Sequence, residues 1–122
     1  MTKPVLFHRP RRCEIWVVEL DLTRGHEIQK TRHCLVIQSD ILNKKLPAYI
    51  IAPITSKVRP EWFPIGIIIK KNEGGLSRES QIMLNQIKAC DITRFKRKIG
   101  KLNESTMVQI NESLAFVLGL HE

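Results

Sequence analysis

The stretch Arg12–Asp40, RCEIWVVELDLTRGHEIQKTRHCLVIQSD, carries more of the fold than any other part of this chain. Glu14–Leu20 is rich in β-branched and aromatic residues, and Cys34–Gln38 is a short apolar run ended by Ser39 and Asp40. Both read as strands of one sheet. The polar loop between them holds Arg24, His26, Glu27, Lys30 and Arg32. A third strand, Pro47–Ile54, runs into the hydroxyls of Thr55 and Ser56. An arginine, a carboxylate and a hydroxyl on neighbouring strands, with no metal-ligand pattern, suit work on a phosphodiester.

Outward from this stretch the pattern stays one of short strands. Trp62–Lys70 reads as a fourth strand, with Pro64 at an edge or bulge position. Asn72–Gly75 is turn chemistry, and the alternation over Gln81–Gln86 predicts a fifth strand. Asp91 can cap a short helical turn over Ile92–Phe95. Asn103–Leu118 is the clear helix: Asn103 is a good N-cap, Met107, Ile110, Leu114, Val117 and Leu118 form one apolar face, and Gly119 ends it. Trp16 reads as core. Trp62, at a strand start, reads as core too, although with Phe63 it could offer a stacking surface for bases. The expected fold is mainly β with helices: a small curved antiparallel barrel closed by a C-terminal helix. It forms a single domain over residues 12–120 behind an N-terminal extension, residues 1–11, expected to be flexible.

A chain of 122 residues holds one modest core. Twenty Lys and Arg against twelve Asp and Glu leave a net charge of +8, which favours an anionic partner. The plain alternative is a basic protein with a solvated surface, and the basic segment Phe95–Lys101 (FKRKIGK) fits that as well as it fits nucleic acid. Cys13, Cys34 and Cys90 are too widely spaced for a zinc site and odd in number, which argues for reduced thiols in a cytoplasm. No apolar run reaches membrane-spanning length, and no cofactor is expected.

The order of these residues resembles the MazF/PemK (Kid-like) family of toxin–antitoxin endoribonucleases. That family's signature runs roughly G-E-I-W-x-V-x-L-D-P-T-x-G-x-E-x-x-x-x-R-P-x-L-V-I, and the likeness extends from Arg11 to Leu118. It implies an SH3-like barrel used as a homodimer, a metal-independent cut of single-stranded RNA, and an acidic antitoxin that occupies the RNA site and forms a DNA-binding complex with the toxin. RNA supplies its own nucleophile, the 2′-hydroxyl, and the expected ends are a 2′,3′-cyclic phosphate and a 5′-hydroxyl. By resemblance Arg32 is the phosphate and acid/base position and Thr55 its hydroxyl partner. A guanidinium holds its proton too tightly to be a ready donor, so charge stabilisation is the safer role for Arg32. Glu27 would orient Arg32 or move a proton; a surface ion pair with Lys30 or Arg24 is the rival account. Arg24, His26, Lys30, Ser56, Lys57, Arg59, Gln86 and Lys88 are the expected RNA contacts.

The chain departs from the signature at Cys13, Leu22 and His33, which stand in place of glycine, proline and proline. Each is one base change away, so a catalytically impaired member that binds antitoxin or RNA is the alternative. Loss of the proline after Arg32 removes a restraint on that arginine's backbone. His33 could instead supply an acid/base group, but alternation along a strand sends it to the face opposite Arg32. The Arg-x-Asp pair of the plasmid-borne branch is replaced by Met83 and Asn85, so only the Arg32/Thr55 chemistry carries over. A topoisomerase-poisoning toxin or a peptide-binding adaptor of similar barrel is less well supported.

Overall fold

β1 (Glu14–Glu19) and β2 (Thr31–Val36) form the expected antiparallel pair, with Val17 across from His33 and Val18 across from Arg32. The computed structural model describes residues 8–20 and 31–122. β2 lies against β3 (Ala48–Thr55), setting Cys34 opposite Pro53 and Val36 opposite Ile51. Along its other edge β3 changes partner. Residues 48–51 pair with β6 (Lys88–Asp91), and Ile54 and Thr55 pair with β5 (Ser80–Met83), which in turn carries β4 (Gly66–Ile69). β7 (Phe95–Lys101) lines the outer side of β1. The sheet of seven strands runs β4-β5-β3-β2-β1-β7, with β6 beside β3 and every pairing antiparallel.

This is the mainly β architecture with a C-terminal helix that the sequence predicts. The sheet, however, is not closed into a barrel. Among the described residues β4, β6 and β7 each pair along one edge only. The hand-over from β6 to β5 within β3 splits the far side of the sheet into two wings.

Both faces of the sheet are buried. One core holds Ile15, Leu35, Ala52, Ile54, Ile67 and Ile82, covered by α2 (Glu104–Val117) through Met107 and Ile110. The other holds Trp16, Val18, Cys34, Val36, Tyr49, Ile51, Cys90 and Phe95. Successive residues of β1 and β2 alternate between these cores, as a pleated strand requires. Helix α2 starts where expected: the Asn103 side chain accepts from the Thr106 N–H at 3.0 Å. It ends in a Schellman motif, with Leu120 N–H on the Ala115 carbonyl and Gly119 at φ +69°. Leu118, expected on its buried face, is half exposed at the C-cap. A short helix, α1 (Asp40–Asn43), follows the Ser39 N-cap.

Several expectations need correction. The segment before Gly66 is not strand: Pro60–Trp62 is a 3-10 turn and Ile65 N–H bonds the Trp62 carbonyl. Pro60 and Pro64 remove two donors that a ladder would need. Trp62 is therefore not core; it stands exposed with the Arg59 guanidinium 5.2 Å above its ring. The fifth strand is Ser80–Met83 and gives way to a turn over Leu84–Gln86. Phe95–Lys101, read as a solvated face, is the edge strand β7. Residues His8–Arg11 are tied down by Arg9, whose Nε donates to the Asn43 carbonyl at 2.9 Å, and residues 1–7 lie outside the described part.

Cys13, at a glycine position of the signature, has φ +79°. Left-handed backbone costs a residue with a Cβ about 1 kcal/mol relative to glycine. The conformation persists because the Cys13 N–H bonds the Val36 carbonyl and its own carbonyl accepts from Leu102. Cys13→Gly is expected to stabilise the fold by about 1 kcal/mol, a melting-point rise of a few degrees. A lower melting temperature would mean that the packing of the thiol outweighs the strain.

Candidate active site

A cavity of about 640 Å³ opens where β1, β2 and β7 meet the ends of β3 and β5. Three successive residues of β2, Thr31, Arg32 and His33, border it, as do Ile54, Thr55 and Ser56 at the end of β3. Val17 and Arg97 contribute from β1 and β7, and the loop before β5 adds Ser77 and Arg78. That loop is located by a backbone contact: a Cβ on Gly100 would come within 2.3 Å of the Gly74 carbonyl oxygen. Only glycine lets β7 and the 72–75 turn approach this closely.

The strand register sorts the cavity's side chains into two rows. Cys34 pairs with Pro53, and Arg32 and Thr55 each lie two residues beyond that pair on their own strands, so by alternation both belong to one side of the sheet. Lys88 belongs to the same side, because it pairs with Ile51 on the face of that second core. The Cys34 thiol feels both of these charges. Burial pushes its pKa up to about 12, Cys90 adds to this, and the Arg32 and Lys88 charges oppose it. The second row runs across β7, β1 and β2 as Arg97, Val17 and His33. Burial, and then the Arg97 charge, lower the His33 pKa from 6.5, so its imidazole is neutral at pH 7.

Thr55 Oγ1 accepts from the Lys57 N–H at 3.1 Å, which leaves the hydroxyl hydrogen to donate elsewhere. The segment after Thr55 is clamped by buried Gln81: its Oε1 accepts from the Arg59 N–H at 2.8 Å and its Nε2 donates to the Arg59 carbonyl at 3.0 Å. The guanidinium groups of Arg32, Arg78 and Arg97 make no ion pair among the described residues.

Of the residues singled out from the sequence, Arg32, Thr55 and Ser56 border one cavity. Lys57 and Arg59 follow on an exposed segment beside it; Gln86 and Lys88 are exposed but do not border the cavity. Arg24, His26, Glu27 and Lys30, with Leu22, lie outside the described residues. His33 lies opposite Arg32 on β2, as alternation requires, yet both border the cavity because it reaches around the end of the sheet. The pairing with Val17 holds His33 in extended backbone, so the ladder supplies the restraint that a proline would have given Arg32. Arg78, Arg97 and the Gln81 clamp were not foreseen. Of the three, the clamp had a sequence signal: a glutamine within the alternating run 81–86.

The chain is 32% identical over 111 residues to an Endoribonuclease MazF of Staphylococcus saprophyticus, covering 91% of this chain and 92% of that protein. It is 33% identical, with the same coverage, to an Endoribonuclease MazF of Staphylococcus epidermidis. In fold it matches MazF in a MazE–MazF structure from Deinococcus radiodurans, at a TM-score of 0.78 and 16% identity, over 93% of this chain and 98% of that one. Residues 11–118 match the PemK-like, MazF-like toxins of type II toxin–antitoxin systems, and the chain belongs to that family.

Proposed function

We infer that this chain, an endoribonuclease toxin of a type II toxin–antitoxin system, cuts single-stranded RNA without a metal ion, with Arg32 and Thr55 carrying the reaction. The main support is that an exposed guanidinium, with no ion pair among the described residues, and a strand-end hydroxyl border one cavity from neighbouring strands. The substrate's 2′-hydroxyl attacks the adjacent phosphorus. As the 2′-oxygen–phosphorus bond forms, the bond to the 5′-oxygen breaks. Arg32 stabilises the extra negative charge of the phosphorane, and the Thr55 hydroxyl donates to a phosphate oxygen. Glu27 is the candidate base for the 2′-hydroxyl proton, and water returns a proton to the leaving oxygen. Arg24, His26, Lys30, Ser56, Lys57, Arg59, Gln86 and Lys88 hold the strand. An acidic antitoxin covers the same basic surface, to which the net charge of +8 is complementary. The active species is a homodimer in the cytoplasm; no helix among the described residues is long and apolar enough to cross a membrane.

Incubating the purified protein with mixed-sequence RNA in EDTA tests the reading. Discrete cuts ending in 2′,3′-cyclic phosphate and 5′-hydroxyl groups are expected. Binding without cutting would instead favour a toxin impaired at Cys13, Leu22 and His33, and a reaction stopped by chelator would overturn the metal-free chemistry.

A further inference from the structure

The Arg32/Thr55 pair occupies only one side of the cavity. On the other side, Arg97 and His33 lie in one row across β7, β1 and β2, separated by Val17. Arg78 borders the same hollow from the loop before β5, and Ser77 adds a hydroxyl. Charge pairing along β7 is selective. Lys98 bonds Glu14 at 3.1 Å and Lys96 approaches Glu19 at 3.8 Å, whereas Arg97 between them faces the cavity with no carboxylate partner among the described residues. Arg78 also lacks one. Two guanidinium groups without a carboxylate among the described residues raise each other's energy in a concave site unless an anion joins them, and their planar forks match phosphate oxygens.

We propose that Arg97, Arg78 and His33 form a second phosphate subsite, which holds the phosphate next to the scissile one as an RNA strand passes around the end of the sheet. The subsite rests on the inferred RNA substrate and extends it to residues that carry no assigned role. It gives the strand a second fixed point. With the scissile phosphate on Arg32 and its neighbour on Arg97, the intervening ribose cannot rotate freely, and its 2′-hydroxyl is held near the line of attack. His33 contributes a ring N–H to a phosphate oxygen. Among the described residues, the charged groups that border the cavity with His33 are Arg97 on β7, Arg78 on the loop and, on the opposite face of β2, Arg32, with β1 offering only Val17. All three are cationic, and burial, followed by the Arg97 charge, favours the neutral ring. A phosphate bound among them reverses that balance, so binding raises the His33 pKa and takes up protons as the pH falls through the bound value.

The test uses a mixed-sequence 2′-O-methyl RNA oligonucleotide, which binds but cannot be cut. Arg97→Ala is expected to weaken binding roughly five- to tenfold and to flatten the plot of log affinity against log salt by about 0.7, the share of one single-strand phosphate. Arg78→Ala should do the same to a smaller extent, and the Arg97→Ala loss should add to that of Arg32→Ala, since the two arginines hold different phosphates. In NMR titrations of the wild type, the His33 pKa should rise when the oligonucleotide is added. An unchanged salt slope in Arg97→Ala, or a His33 titration indifferent to the oligonucleotide, overturns the subsite even if the wild type cuts RNA. A wild type that shows the slope and the His33 shift without cutting supports the subsite and overturns the cleavage reading. A wild type that binds no RNA overturns both.

Discussion

Arg32→Ala is expected to lower the rate of RNA cleavage in EDTA by about 10²–10³-fold while leaving the melting temperature nearly unchanged. The two halves of that result have separate causes. Removing one preorganised donor from a developing oxyanion costs roughly 3–4 kcal/mol of transition-state stabilisation. Stability is spared because Arg32 is exposed and makes no ion pair among the described residues, so its removal leaves no buried group unsatisfied. Arg32→Lys separates charge from shape: an ammonium keeps the positive charge but loses the planar fork, so it should recover only part of the rate. Thr55→Ala should fall between wild type and Arg32→Ala, because one neutral donor is lost and the Gln81 clamp still fixes the following segment. Initial rates on an end-labelled RNA, with melting curves as control, decide the matter. An Arg32→Ala protein that cuts at the wild-type rate would remove the guanidinium from the reaction.

The residues explain which parts of this molecule could be read in advance. β1 was legible because it alternates between two buried faces, β2 because its apolar half, from Cys34 on, is cut off by Ser39 and Asp40, and α2 because Asn103, the apolar stripe and Gly119 agree on one span. β7 was not. Its exposed Lys96 and Lys98 look like solvated charge until Glu19 and Glu14 on β1 are seen beside them. The open sheet was equally hidden, since nothing local to β3 says that it will exchange β6 for β5 partway along. In the site, Arg32 and Thr55 could be named because adjacent strands and a known family pattern converge on them. Arg97 and Arg78 reach the cavity only through the register of β7 on β1 and the Gly74–Gly100 contact, both of them long-range. Alternation correctly sent His33 to the face opposite Arg32. It could not show that the cavity wraps around the strand end and meets both faces.

Glu14→Ala should cost about 3 kcal/mol of folding free energy, a large effect for a polar side chain. Glu14 is 3% exposed, yet four donors meet its carboxylate: Trp16 Nε1 at 2.9 Å, the Arg11 N–H at 3.0 Å, Lys98 Nζ at 3.1 Å and His8 Nε2 at 3.2 Å. Burial alone would raise its pKa, but the bonds from Trp16, Arg11, Lys98 and His8 outweigh burial and hold it below 4.5. Truncation removes the acceptor that Glu14 gives the Trp16 indole N–H and frees Lys98, loosening the β1–β7 ladder that carries Arg97. Glu14→Gln keeps an acceptor for Trp16 and should cost less, about 1–2 kcal/mol. The pH dependence follows from the lowered pKa. The unfolded chain binds this proton more readily than the folded one, so the contribution is complete above 4.5 and is lost as the pH falls through the lower folded value. Urea denaturation of wild type and Glu14→Gln, at pH 7 and at successive steps below pH 4.5, separates the two effects. The wild type should lose its advantage over the glutamine variant across that acid window. A constant difference between the two proteins would show that shape rather than charge holds the N-terminal end of β1 in place.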